Sequence, residues 1–209
     1  MRAGWRRQMS DVTEALIVID VQNDFCPNGA LAVAGGDEII PRINRLMQEI
    51  PVVVLTQDWH PEEHSSFAAM HGVEPFTQIE MPHGPQTLWP SHCVWGTQGA
   101  EFHPDLHVDP ADLVIRKGFR PQVDSYSAFF ENDHVTPTGL AGYLRERGIT
   151  DLTFVGLALD YCVAWSAMDA AKLGFKARVL EGACRAIDLN GSLAASRAAM
   201  MAAGVELEA

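Results

Sequence analysis

A chain of 209 residues, 47% of them hydrophobic, suits one compact α/β domain that buries on the order of 70% of its unfolded surface. Its formal charge of −12, with no lysine- or arginine-rich run beyond the first ten residues, argues against a nucleic-acid partner and favours a small polar substrate. Nothing approaches the ~18 consecutive apolar residues of a membrane span, so no membrane partner is expected.

The opening stretch MRAGWRRQMS is basic but lacks the apolar core of a secretory signal, and residues 1–12 read as a flexible extension. Short β-branched runs then alternate with amphipathic ones, the pattern of βαβ units and of a parallel sheet covered on both faces. ALIVID (15–20) is the first strand and ends on Asp20; a helix is predicted over 37–49. VVVLTQ (52–57) is the second strand, followed by Asp58, and DLVIR (112–116) the third, followed by Lys117. Beyond it come a helix at 138–147, the strand DLTFVGL (151–157), a helix at 161–173, the strand KARVLE (176–181), a helix at 190–202 and the strand GVELE (204–208). Gly148 and Gly174 close two of these helices. The sum is a doubly wound, three-layer α/β fold with six mainly parallel strands, filling residues 13–209.

The stretch from Asp58 to Pro110 breaks the rhythm. It has no strong periodicity, is rich in proline, glycine and tryptophan, and holds seven of the eight histidines. A loop of that length inside a compact domain is usually functional or disordered, and its tryptophans argue against disorder. Four cysteines (Cys26, Cys93, Cys162, Cys184) lie far apart without C-x-x-C spacing, so reduced thiols and a cytoplasmic setting are expected.

In open parallel sheets ligands bind beyond the carboxyl ends of the strands. Four strands here each deliver one reactive group to that edge: Asp20, Asp58, Lys117 and Cys162. Singly, each has an ordinary reading: a carboxylate that caps a turn, a solvated lysine before glycine, a cysteine filling a core. Together they make an amidase or acyl-transfer site. Cys162, at the start of the helix 161–173, is the nucleophile, its thiol pKa expected to fall through the helix dipole and the Lys117 ammonium. Asp20 moves the proton. Backbone N–H groups of Ala158 and Cys162 serve the tetrahedral oxyanion.

The long loop offers a second constellation. In TQDWHPEEH, Asp58 and His60 are spaced i, i+2, which in extended chain turns both side chains to one face, and WPSHC adds His92. One carboxylate and two imidazoles suit zinc, iron or manganese, zinc first among them. His64 reads as a fourth ligand, a partner behind the ligands, or an exposed side chain. The match to H-x-x-E-H (His60, Glu63, His64) is discounted, because Pro61 keeps His60 out of the helix that pattern needs. No G-x-G-x-x-G follows the first strand, and neither a phosphate-binding loop nor a G-x-S-x-G elbow is present.

The ordered blocks LIVIDVQNDFCPNGALAVAGG, TQDWHPEEHSSFA, LWPSHCVWGTQGAEFHPDL, IRKG, DSYSAFF and DYCVAWSAMDA resemble the nicotinamidases of the isochorismatase-like cysteine hydrolases, from about residue 14 to the end of the chain. The resemblance implies a Cys162, Asp20, Lys117 triad and a single divalent metal on Asp58, His60 and His92 that binds the ring nitrogen of nicotinamide. It also implies a pocket of Phe25, Trp89, Tyr126 and Leu157, a cis peptide between Leu157 and Ala158, a homo-oligomer, and a place in NAD salvage. One departure is visible: Leu159 stands where the family often has threonine in a T-D-x-C pattern.

Two other functions are weighed against hydrolysis of nicotinamide. A related cysteine hydrolase acting on another amide, carbamoyl or ureido substrate would generally lack the metal trio. A noncatalytic scaffold or oligomerisation domain on the same fold would have lost its nucleophile, and Cys162 is present.

Overall fold

The computed structural model describes residues 12–209, so the extension read over residues 1–12 falls, but for Val12, outside the described residues. In chain order the elements are β1 (Glu14–Ile19), α1 (Ile40–Glu49), β2 (Val52–Asp58), β3 (Gln78–Met81), β4 (Gly84–Thr87), β5 (Leu113–Lys117), α2 (Leu140–Glu146), β6 (Asp151–Leu157), α3 (Ala164–Lys172), β7 (Lys176–Arg185), α4 (Ser192–Ala202) and β8 (Glu206–Glu208).

Six strands form one sheet in the order β5-β2-β1-β6-β7-β8, and every pairing in it is parallel. The chain steps outward from β1 through β2 to β5, then returns to the other side of β1 with β6. That reversal leaves a crevice beyond the carboxyl ends of β1 and β6, where side chains from four strands can meet. Strands β1, β2 and β6 are buried almost throughout because they are apolar on both faces. Removing a side chain such as Ile17, Leu55 or Phe154 from water contributes about 1.5–3 kcal/mol each. Edge strand β5 alternates instead, with Val114 and Arg116 exposed, yet its last residue, Lys117, is fully buried.

Three local features differ from the sequence reading. A hairpin, β3 with β4, lies within the long loop; β3 alternates polar and apolar residues over only four positions, and its partner β4 carries glycine, proline and polar residues, so the signal was too short to read. Strand β7 runs to Arg185 rather than Glu181, with a register shift between Phe154 and Gly156 of its partner. The helix predicted from residue 161 begins instead as a π-helical turn, Leu159–Val163, and becomes α-helical only at Ala164.

Gly156 shows why this end of the sheet is built as it is. Its φ is +114°, and a Cβ there would sit 2.1 Å from the carbonyl oxygen of Ile19. Only glycine lets β6 approach β1 so closely just before both strands deliver their functional residues. No helix among the described residues is long and apolar enough to cross a membrane.

Candidate active site

Asp20, Asp58, Lys117 and Cys162 meet in the crevice, all buried. The Lys117 ammonium donates to a carboxylate oxygen of Asp58 and, at 2.9 Å, to the carbonyl of Ser125. It lies 2.8 Å from Asp20 Oδ2 and 3.5 Å from Cys162 Sγ. One carboxylate oxygen each from Asp20 and Asp58, and the Cys162 sulfur, lie within 4.8 Å of one another. Asp20 turns out of β1 with φ +47°; its N–H donates to Thr56 Oγ1 at 3.1 Å, and that hydroxyl donates to Asp20 Oδ1 at 2.6 Å. The neighbouring strand thus fixes which way the carboxylate faces.

The turn carrying Cys162 follows a cis peptide between Leu157 and Ala158. Its wide winding appears in the Val163 N–H, which reaches back five residues to the Ala158 carbonyl at 3.1 Å. Such π-helical turns are rare and concentrate at functional sites. On the other side Ser166 Oγ donates to the Cys162 carbonyl at 2.6 Å and accepts from the Ala128 N–H.

The protonation states differ in one respect from the sequence reading. Burial pushes the Cys162 thiol well above its ordinary value; Lys117 pulls it down, but Asp20 and Asp58 push it up again. The expected lowering fails because α3 begins two residues after Cys162 and the sulfur is out of water among two carboxylates. Burial also raises Asp20, against the pull of Lys117 and with the push of Asp58, to about 6. Burial alone would raise Asp58, but Lys117 and His60 outweigh it and hold Asp58 well below the carboxylate range. Lys117 itself, which burial would lower, is held well above its ordinary value by the two aspartates. The set is an ammonium between two carboxylates, beside a protonated thiol.

Asp58, His60 and His92 offer ligand atoms within 4.8 Å of one another. Asp58 Oδ2 lies 3.5 Å from His60 Nε2 and 3.8 Å from His92 Nε2. His60 Nδ1 is 2.8 Å from the Gly118 carbonyl and His92 Nδ1 is 2.8 Å from the Pro90 carbonyl. A carbonyl only accepts, so each Nδ1 carries the hydrogen and each Nε2 presents its lone pair. His60 Nε2 is buried with no hydrogen-bond partner. Two aspartates against one lysine leave a negative charge uncompensated, so this donor set fits a divalent cation. Gly118, with φ +67°, lets the His60 ring lie flat against the backbone, since a Cβ there would stand 2.4 Å from His60 Cε1.

His64 is fully buried beside His60, their ring centroids 4.4 Å apart. Its Nε2 donates to the carbonyls of Arg120 at 3.0 Å and Val123 at 3.3 Å, and Ser66 Oγ lies 2.7 Å from Nδ1. With both nitrogens engaged it packs behind His60. Burial lowers its pKa to about 4, so it stays neutral.

Beside the thiol opens a narrow recess, partly open to solvent. Phe25, Trp89 and Tyr126 line it. Leu157 does not: it is fully buried and its methyl packs toward Gly36, because the turn after β6 points the residue into the core. The sequence reading missed Leu31, Asp124, Tyr161 and Ile187, which also line it. All but Tyr161 come from irregular segments that carry no periodic signal. Tyr161 directly precedes the predicted nucleophile, and that adjacency was the one available clue. Tyr126 Oη accepts from Trp89 Nε1 at 3.1 Å and Gln86 Nε2 at 2.9 Å, and Gln86 Nε2 also reaches Asp124 Oδ2 at 3.1 Å.

Comparison with known proteins points the same way. Residues 14–208 match the isochorismatase domain. The nicotinamidase of Acinetobacter baylyi is 58% identical over 193 residues, covering 92% of this chain and 90% of that protein. The nicotinamidase/pyrazinamidase structure from Acinetobacter baumannii superposes with a TM-score of 0.93 at 57% identity, covering 94% of this chain and 96% of that one. The pyrazinamidase of Pyrococcus horikoshii, solved in complex with zinc, has a TM-score of 0.75 at 35% identity, covering 93% and 98% of the two chains.

Proposed function

The chain belongs to the isochorismatase family, and on that premise we propose that it is a nicotinamidase, hydrolysing nicotinamide to nicotinate and ammonia through a thioester on Cys162. The observation that carries the mechanism is Lys117 Nζ lying 2.8 Å from Asp20 and 3.5 Å from Cys162, at the mouth of an aromatic recess.

Asp20, poised at about 6, is ionised at neutral pH and takes the proton of a thiol that burial keeps on sulfur until substrate arrives. The sulfur attacks the carboxamide carbon, forming a C–S bond and an oxyanion met by the backbone N–H groups of Ala158 and Cys162. Collapse breaks the C–N bond, and Asp20 gives its proton to the departing nitrogen, which leaves as ammonia. Water then gives a proton to Asp20 and attacks the thioester; the C–S bond breaks, the Asp20 proton returns to sulfur, and the acid leaves as nicotinate, its carboxyl proton passing to solvent. Lys117 stabilises the ionised form of Asp20 before and between its proton transfers.

Asp58, His60 and His92 are the residues that would hold a divalent ion, zinc first among zinc, iron and manganese. When bound, the ion supplies a Lewis-acid anchor for the ring nitrogen. His64 braces His60. Phe25, Trp89 and Tyr126 line the recess that would receive the ring.

The same reading carries a place in NAD salvage, a cytoplasmic setting and a homo-oligomer, which sedimentation would test; all four cysteines are free. Ammonia release from nicotinamide by the purified protein, abolished in Cys162→Ala, is the deciding measurement. No release on nicotinamide, with Cys162→Ala equal to wild type on every amide tried, would sink the proposal. Turnover of a carbamoyl or ureido compound in preference to nicotinamide would favour the related hydrolase instead.

A further inference from the structure

Asp160 takes no part in the steps above, yet its side chain is buried two residues before the nucleophile. Its Oδ1 accepts from the Ile187 N–H at 3.0 Å, and its Oδ2 accepts from the Asp188 N–H at 2.8 Å and from Ser192 Oγ at 2.5 Å. All three donors lie in the connection between β7 and α4 or on the first residue of α4. Hydrogen bonds to an ionised acceptor are roughly twice as strong as neutral ones. One carboxylate therefore gathers a segment whose backbone is otherwise irregular: Asp188 and Asn190 both have positive φ, at +54° and +53°.

The two segments so joined both face the ligand. Cys162 and Tyr161 sit in the π-helical turn, and Ile187 lines the same recess. Leu159, which stands where a hydroxyl was expected, is buried in the apolar core and offers the turn no side-chain hydrogen bond. Polar anchorage at the start of the turn thus falls to Asp160, while Ser166 holds its other end through the Cys162 carbonyl.

We infer that Asp160 is a positioning residue for the hydrolysis: it aims the turn that carries Cys162 and seats Ile187 in the ligand wall, so that sulfur and wall keep a fixed separation. The inference rests on the reading of Cys162 as the nucleophile. An asparagine at this position keeps the shape but exchanges one acceptor for a donor. Whichever way its amide faces, one of the two backbone N–H groups loses its partner.

The test compares Asp160→Asn and Ser192→Ala with wild type in three readouts: kcat and KM for nicotinamide, the rate of Cys162 alkylation by iodoacetamide over a Cys162→Ala background, and melting temperature. In Asp160→Asn, kcat is expected to fall about tenfold or more and the alkylation rate to change about threefold, because small displacements of a reacting group are costly. KM should rise as Ile187 loosens. Ser192→Ala should move the same readouts in the same direction, by about twofold to fivefold. Both variants retaining kcat, KM and alkylation rate, whatever the melting temperature does, would overturn the inference. Where Asp160→Asn fails to fold, Ser192→Ala decides alone: unchanged kcat and alkylation overturn it, and a fall in kcat with a changed alkylation rate supports it. If wild type releases no ammonia, the proposed function fails, while the alkylation comparison still decides the part played by Asp160.

Discussion

The Lys117 ammonium, fully buried at the end of an edge strand, lies 2.8 Å from the fully buried carboxylate of Asp20. Neither group could be held charged there alone, because desolvating a single ion costs several kcal/mol after relaxation. With Asp58 also on the ammonium, the cluster is fully compensated only if a further cation arrives.

Removing the ammonium is therefore expected to cost stability as well as chemistry. Lys117→Met should lower unfolding free energy by about 3–5 kcal/mol near pH 8, since it strands two buried carboxylates. The loss should shrink near pH 5, where those carboxylates can take protons. Urea melts at the two pH values measure this, and equal losses at both would contradict it.

In the proposed mechanism Asp20 acts as a base, so only its ionised form works. With its pKa raised to about 6 by burial, kcat/KM should be level above that value and fall about tenfold per pH unit below it. Asp20→Asn should abolish this acid limb and leave a rate lower by about 10²–10⁴. A variant that keeps the same limb would assign it to another group.

Metal content gives a check that does not depend on turnover. Elemental analysis of purified wild type should find one divalent ion per chain, lost in His92→Ala and on prolonged chelation. Gly118→Ala should weaken the same site without touching a ligand, because its Cβ would fall 2.4 Å from His60 Cε1 and force the ring to move. Retention of full metal content in Gly118→Ala would show that the His60 pose is not needed.

Glu131 concerns stability alone. Burial pushes it up to about 7 from an ordinary 4.5, against the pull of Arg120 and with the push of Asp124, and its Oε2 has no hydrogen-bond partner. The native state thus keeps a proton that the unfolded chain releases between 4.5 and 7, so stability falls as pH rises through that window and stays lowered above it. Glu131→Gln removes the penalty and should stabilise by about 1–3 kcal/mol at pH 8 and little at pH 4. Thermal melts at both values would show the difference; an equal gain at both would refute it.

Much of the fold was legible from Leu16, Val54 and Phe154 and their neighbours, because a strand buried on both faces must be apolar along its length and such a run is visible without its partners. The meeting place of the candidate groups was legible for a related reason. A parallel sheet brings its carboxyl ends to one edge, so Asp20, Asp58, Lys117 and Cys162 could be sorted to one place before any distance was known. Hairpin β3–β4 was not legible, since the alternation of Gln78, Ile79, Glu80 and Met81 spans only four residues and its partner strand, with Gly84, Pro85 and Gln86, has none.

What the sequence alone determined, then, is which candidate groups share one edge of the sheet, a property of local pattern and connectivity. Tertiary structure decided everything that depends on what surrounds a group. It turned Leu157 into the core and brought Ile187 and Asp124 to the recess from irregular segments. It held the two histidines to carbonyls of Gly118 and Pro90. It also raised the Cys162 thiol where the helix and the lysine suggested a fall. The reason is physical: a protonation state and a facing direction are set by desolvation and by neighbours distant in sequence, and no stretch of sequence around the residue records them.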